Sequence, residues 1–188
     1  MPERFEIRLS GSGGKGLILA GVILAEAAGI YEGKQVCQTQ SYGPEARGGA
    51  SKAEVVISDG EIDYPLAIKP DVLLCLNQKA CEIYFLDLKP GGTLMVDASL
   101  VHDLPTLEVI AIPFTQIARE QVGKEATANI VALAALAAIT GVVSLKSLEK
   151  AVLARVPKGT EALNKKALDA GIAAAKQFLQ ENKSKTPG

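Results

Sequence analysis

Six residues, "GSGGKG" at Gly11–Gly16, follow the alternating stretch "RFEIRL" and precede the apolar run "LILAGVILAEAAG". Gly11, Gly13 and Gly16 have the G-x-G-x-x-G spacing between a strand and a helix. In that setting backbone N–H groups and the positive end of a helix face a phosphate. The interaction is worth about 0.3–1 kcal/mol when exposed and up to about 2 kcal/mol when partly buried. Four glycines in so short a loop oppose folding by roughly 2–4 kcal/mol, so they imply unusual backbone angles or close approach of another group. That group is a phosphate, a neighbouring helix or another chain. Gly11, Ser12, Gly13, Gly14, Lys15 and Gly16 are therefore the candidate binding residues. Lys15 either strengthens an anion site or faces solvent.

Other chemistries fit less well. A nicotinamide site wants an acid about 20 residues on, at the end of the second strand. The stretch "KQVCQTQS" ends without one, and Glu32 precedes it. A Walker A loop needs Lys and then Ser or Thr after its last glycine, whereas Lys15 precedes Gly16 and Leu17 follows. Ser12 is one glycine short of G-x-S-x-G, because Ser10 holds the first position. The sole histidine, His102, lies in the loop-like "LVHDLP" and is expected to face solvent. No His, Cys or carboxylate cluster has metal-ligand spacing. Cys37, Cys75 and Cys81 are odd in number and lack a C-x-x-C pair, which argues against a disulfide framework or an iron–sulfur site. Cys37 and Cys75 read as buried strand thiols in a reducing cytoplasm.

A second loop, "SYGPEARGG", combines Tyr42, Glu45 and Arg47 with Gly43, Gly48 and Gly49. Its chemistry supports two readings equally. One is a surface turn with an internal Glu–Arg pair. The other is a contact loop, in which Tyr and Arg anchor a partner or Arg clamps an anion.

These loops need a scaffold, and the pattern of elements supplies an α/β one. Strand, glycine loop, helix and strand (residues 4–40) make a βαβ plan for a parallel sheet, with Gly29 placed to stop the helix. "SKAEVVIS" reads as a strand, Asp59–Gly60 as a turn, and "EIDYPLA" as a returning hairpin partner. "DVLLCL", "TLMVDA" and "VIAIP" read as buried strands. "NQKACEIYFLDL" reads as a helix capped by Asn77. Beyond Pro113 four helical patterns follow, with Ser144 and Thr160 as caps. The expected architecture is a Rossmann-like, mostly parallel sheet with flanking helices and a helical C-terminal third. One domain spans residues 1–182, and 183–188 form a flexible tail.

With 20 basic and 21 acidic residues, the net charge of −1 offers no general attraction to nucleic acid or an anionic membrane. "LILAGVILA" resembles a signal-peptide core, but Glu3 and Glu6 stand in the would-be basic region. The run "ANIVALAALAAITGVV" falls short of the roughly 20 residues that a bilayer span requires. It reads as a buried helix, serving the core or a subunit interface.

The glycine loop opening an apolar helix, "SYGPEARGG", "LLCLNQKA", "LKPGGTLMVD" and "ANIVALAALAAITGVVSLKSLEKAV" occur in the order found in one family. Together they closely resemble the gamma subunit of 2-oxoacid:ferredoxin oxidoreductases, from about Arg4 to Phe178. Lys15 stands where that family often has glutamine, and Leu17 where valine is common. The resemblance implies a cytoplasmic component of a complex rather than a complete enzyme. Such complexes decarboxylate a 2-oxoacid on thiamine diphosphate with magnesium. They pass electrons through iron–sulfur clusters to ferredoxin and transfer the acyl group to coenzyme A. The resemblance assigns thiamine diphosphate and the clusters to alpha, beta and delta partners, leaving this chain without a cofactor of its own. It makes the glycine loop a contributor to coenzyme A handling and the second loop a partner contact. The competing readings are an independent Rossmann-like nucleotide-binding enzyme and a scaffolding protein with a vestigial glycine loop. Self-pairing of the isolated chain stays open.

Overall fold

A computed structural model describes residues 4–13, 16–41, 50–106 and 108–183. Its elements, in chain order, are β1 (Arg4–Ser12), α1 (Leu17–Glu32), β2 (Gln35–Ser41), β3 (Ala50–Ser58), β4 (Val72–Cys75), α2 (Gln78–Tyr84), β5 (Thr93–Asp97), β6 (Ile110–Ile112), α3 (Phe114–Ile117), α4 (Ala128–Thr140), α5 (Leu145–Arg155) and α6 (Glu161–Lys183). A 3-10 turn, Phe85–Asp87, extends α2. A π-turn, Ala118–Val122, extends α3 and ends at Gly123.

The six strands lie in the order β2-β3-β1-β4-β5-β6. β1, β4, β5 and β6 are parallel, whereas β3 is antiparallel to both β1 and β2. The mostly parallel sheet and helical C-terminal region agree with the sequence. The βαβ unit is present, since β1 and β2 both oppose β3 and so run parallel to each other, but β3 lies between them. Residues 42–49 connect β2 to β3, so β2–α1–β1 is a crossover around an inserted strand. "EIDYPLA" forms no strand. Arg4 donates to the Tyr64 and Leu66 carbonyls at 2.8 and 3.0 Å, and Arg8 donates to the Ala67 carbonyl at 2.8 Å. Their backbone acceptors are thus taken by side chains instead of a hairpin ladder.

Strand alternation builds two layers of core. Ile7, Leu9, Val72, Leu74 and Met95 point to the side that carries α1, α4, α5 and α6. Leu73, Cys75, Leu94 and Val96 point to the side of α2, where the core is smaller. α4 is buried at every residue from Asn129 to Ala137, which assigns the long apolar run to the core and not to an interface. It packs closely on α6, where a Cβ at Gly171 would meet the Val131 carbonyl oxygen at 2.2 Å. α1 continues past Gly29, which lies against Val36, and ends at Gly33 with φ +70°. Asn77 and Ser144 cap α2 and α5 as expected, accepting from the backbone N–H groups of Ala80 and Ser147. Cys75 is buried, but Cys37 is only half-buried, because β2 is an edge strand. Among the described residues no helix is long and apolar enough to cross a membrane.

Candidate functional site

The strand order creates a crevice between β1 and β4. After β1 the chain turns to one face of the sheet through α1, and after β4 it turns to the opposite face through α2. Open α/β sheets bind ligands at such a reversal, outside the carboxyl ends of the strands. A cavity of about 440 Å³ lies there, within the usual range for a small-molecule pocket. Gly13 and Gly16 line it from the loop after β1, Leu76 from the end of β4, and Leu100 from beyond β5. Thr115 enters from α3 and Asn129 from the start of α4.

The loop's glycines have different reasons. Gly16 has φ +70°, and a Cβ there would lie 2.5 Å from the Asn129 amide nitrogen. That nitrogen donates to the Gly16 carbonyl at 3.1 Å, fastening α4 to the start of α1. Gly13 is the opposite case, since a Cβ there meets none of the described residues within 4 Å. It borders open space. Gly14 and Lys15 lie outside the described residues.

The surrounding polar groups hold the frame rigid. Ser12 accepts from Asn77 at 2.9 Å, while Asn77 caps α2 by accepting from Ala80 N–H at 2.8 Å. One side chain therefore ties the glycine loop to the segment after β4. Asp97, fully buried at the end of β5, accepts from the Ser99 N–H, the Thr115 N–H and the Thr115 hydroxyl at 3.0, 3.0 and 2.5 Å. It fixes the far wall. Cys75 ends β4 beneath the crevice, where its hydrogen bond with Cys81 and its burial hold the thiol well above the ordinary cysteine range. That keeps it protonated and unreactive at neutral pH.

Among the described lining residues the only ionisable one is Glu125, and the one side-chain hydroxyl, that of Thr115, donates to the buried Asp97. The walls are largely apolar, and Gly16, which precedes the 16-residue α1, stands among them. Apolar walls beside a helix N-terminus suit a ligand that has an apolar stretch and an anionic end. His102 lies exposed on a loop, as expected. The second candidate loop, with Tyr42, Gly43, Glu45, Arg47, Gly48 and Gly49, lies outside the described residues. Its ends are placed: Ala50 pairs with Ser12, so both loops leave the same end of the sheet. Sequence reasoning missed Leu76, Asp97, Thr115 and Asn129 as parts of the site. The available signals were an acid closing a buried strand and an asparagine opening an apolar helix.

Comparison with known proteins gives consistent matches. Residues 6–174 match the family model of pyruvate ferredoxin/flavodoxin oxidoreductase. The chain is 55% identical to 2-oxoglutarate synthase subunit KorC of Methanocaldococcus jannaschii, over 93% of this chain and 96% of that one. It is 54% identical to the crystal structure of a keto/oxoacid ferredoxin oxidoreductase gamma subunit from Geobacter sulfurreducens, with a TM-score of 0.85 over 93% of this chain and 98% of that one. A longer chain also matches, from 2-oxoglutarate:ferredoxin oxidoreductase of Magnetococcus marinus with 2-oxoglutarate, coenzyme A and succinyl-CoA bound. There the identity is 26% and the TM-score 0.81, over 94% of this chain and 32% of that one.

Proposed function

This chain belongs to the pyruvate ferredoxin/flavodoxin oxidoreductase family, and from that premise we propose that it is the non-catalytic gamma subunit of a thiamine-diphosphate-dependent 2-oxoacid:ferredoxin oxidoreductase. The complex oxidatively decarboxylates a 2-oxoacid to an acyl-CoA and reduces ferredoxin. The name of the 55% identical relative makes 2-oxoglutarate the first substrate to test. Alpha, beta and delta partners carry the thiamine diphosphate, magnesium and iron–sulfur clusters. This chain supports their assembly in the cytoplasm and contributes to the coenzyme A site.

One observation carries the coenzyme A part of this reading: a largely apolar crevice ends at the glycine loop and the α1 N-terminus. Coenzyme A has the chemistry such a site selects, an apolar-compatible arm joined to phosphates. The α1 N-terminus and Lys15 would hold the phosphates, and Leu19, Leu76 and Leu100 would hold the arm and exclude water. Coenzyme A supplies the acceptor thiol when bound. This chain's residues only bind and orient it.

Gly13→Val tests the assignment, because among the described residues no atom lies within 4 Å of where the new side chain begins. The variant is expected to fold and assemble normally. The KM of the assembled complex for coenzyme A should rise roughly tenfold or more, equivalent to about 1.4 kcal/mol of lost binding, while the KM for the 2-oxoacid holds. An unchanged KM for coenzyme A would remove coenzyme A from this crevice.

A further inference from the structure

Beside the main crevice lies a smaller cavity of about 190 Å³, and Leu19, Ala126 and Asn129 line both. It is below the roughly 300 Å³ at which ligand pockets usually begin, so it suits one part of a ligand. We propose that this side cavity is a subsite for a nucleobase bearing an exocyclic amino group. The inference rests on the coenzyme A reading of the crevice, and adds which end of the ligand lies where and what selects it.

Two asparagines carry the assignment. Asn129, at the start of α4, and Asn164, in the first turn of α6, both line the side cavity and are 6% and 7% exposed. An asparagine amide brings two N–H donors and a carbonyl acceptor. Here the donors are turned to the protein. The Asn129 Nδ2 donates to the Gly16 carbonyl at 3.1 Å, and the Asn164 Nδ2 donates to the Thr160 carbonyl and hydroxyl at 2.9 and 3.0 Å. A backbone carbonyl oxygen can only accept, so these bonds fix which way each amide points. Among the described residues no donor meets either Oδ1, and neither oxygen is sealed from open space. Nearly all polar groups this deep have a partner, so two free acceptors on one cavity point to a ligand that donates.

The donor is neutral. Lys124 is the only charged residue among the described lining of the side cavity, so a cationic amine meets repulsion there and no carboxylate to offset it. Ile130, Val156 and Leu163 supply apolar walls for a flat ring. An exocyclic amino group offers two N–H donors, matching the two oxygens. The order of groups agrees as well, since in coenzyme A the phosphates lie between the arm and the base. Leu76 and Leu100 line the crevice and not the side cavity, whereas Asn129 touches Gly16 and lines both. Phosphates held at Gly16 thus leave the arm to the crevice and the base to the side cavity.

The assembled complex tests this with coenzyme A and its hypoxanthine analogue, in which a carbonyl oxygen replaces the amino group. Calorimetry on wild type is expected to give a Kd roughly tenfold weaker, or more, for the analogue. Asn164→Ala removes one oxygen but leaves the Thr160 carbonyl bonded to the backbone N–H of residue 164 at 2.9 Å, so its melting temperature should match wild type. The variant should bind coenzyme A several-fold more weakly and narrow the gap between the two ligands. Adenosine 3′,5′-bisphosphate, which has the base without the arm, should compete with coenzyme A in a manner that depends on Asn164. Pantetheine, which has the arm's amides without the base, should not, and Asn164-dependent competition by it would overturn the subsite by giving the oxygens to an amide. Equal binding of coenzyme A and the analogue by wild type would also overturn it, leaving the oxygens to water. If Gly13→Val still weakens coenzyme A binding in that case, the failure is confined to the side cavity; if it does not, the crevice reading falls with it.

Discussion

Arg8→Met is expected to destabilise the isolated chain by about 3–5 kcal/mol, the usual consequence of stripping one partner from a buried charge pair. Small domains hold only about 5–15 kcal/mol in total. Arg8 is 3% exposed and so is Glu54, to which its Nε donates at 2.8 Å. The same guanidinium binds Asp87 and the Ala67 carbonyl and lies 5.3 Å from the centre of the Tyr84 ring. Without it Asp87, nearly half exposed, rehydrates, but Glu54 cannot. Lys52 still reaches Glu54 at 2.8 Å, which limits the loss without replacing the planar fork. Urea unfolding measures the effect. A second substitution, Glu54→Leu, should recover much of it by removing the stranded charge. A midpoint shift equivalent to less than about 0.5 kcal/mol, the level of an ordinary surface change, would mean that the network contributes little.

Gly16→Ala is the second large effect, and it strikes the site. An L-residue at φ +70° costs roughly 1–2 kcal/mol in backbone energy. The added Cβ also drives into the Asn129 amide, and such overpacking costs about 1–3 kcal/mol. The two together give a loss of about 2–5 kcal/mol on those scales. Asn129 lines the crevice, so its displacement should also weaken coenzyme A binding by the assembled complex. Gly13→Ala, on the same loop, should cost about 1 kcal/mol or less, since Ala there meets no neighbour. Equal thermal shifts for the two variants would contradict the geometry assigned to the loop.

The contrast between these glycines shows what the sequence conveys. Their spacing announces a tight bend before a helix, but which one needs a positive φ depends on Asn129, 113 residues away. Gly29 and Gly33 repeat the lesson. Both follow an apolar helical run, and only the contact with Val36 across the turn makes Gly29 a packing residue. The short buried strands were legible because unbroken apolar runs suit positions covered on both faces. The insertion of β3 was not, because the glycine-rich stretch 42–49 is too long to specify a hairpin by itself, whereas Asp59–Gly60 carries the two-residue turn signal. The segment "EIDYPLA" defeats that turn signal, because two arginines about 60 residues earlier hold its carbonyls. In the crevice, one loop was legible from its own composition. Leu76, Asp97, Thr115 and Asn129 come from four other segments, and only the strand order brings them together.

Reconstitution tests the central claim most directly. The partner subunits are purified without this chain, and 2-oxoglutarate-driven, coenzyme A-dependent ferredoxin reduction is followed as the chain is added back. The account predicts no turnover by the chain alone, little acyl-CoA formation by the partners alone, and recovery that saturates near equal stoichiometry. Turnover by the chain alone, or full activity of the partners without it, would contradict the account.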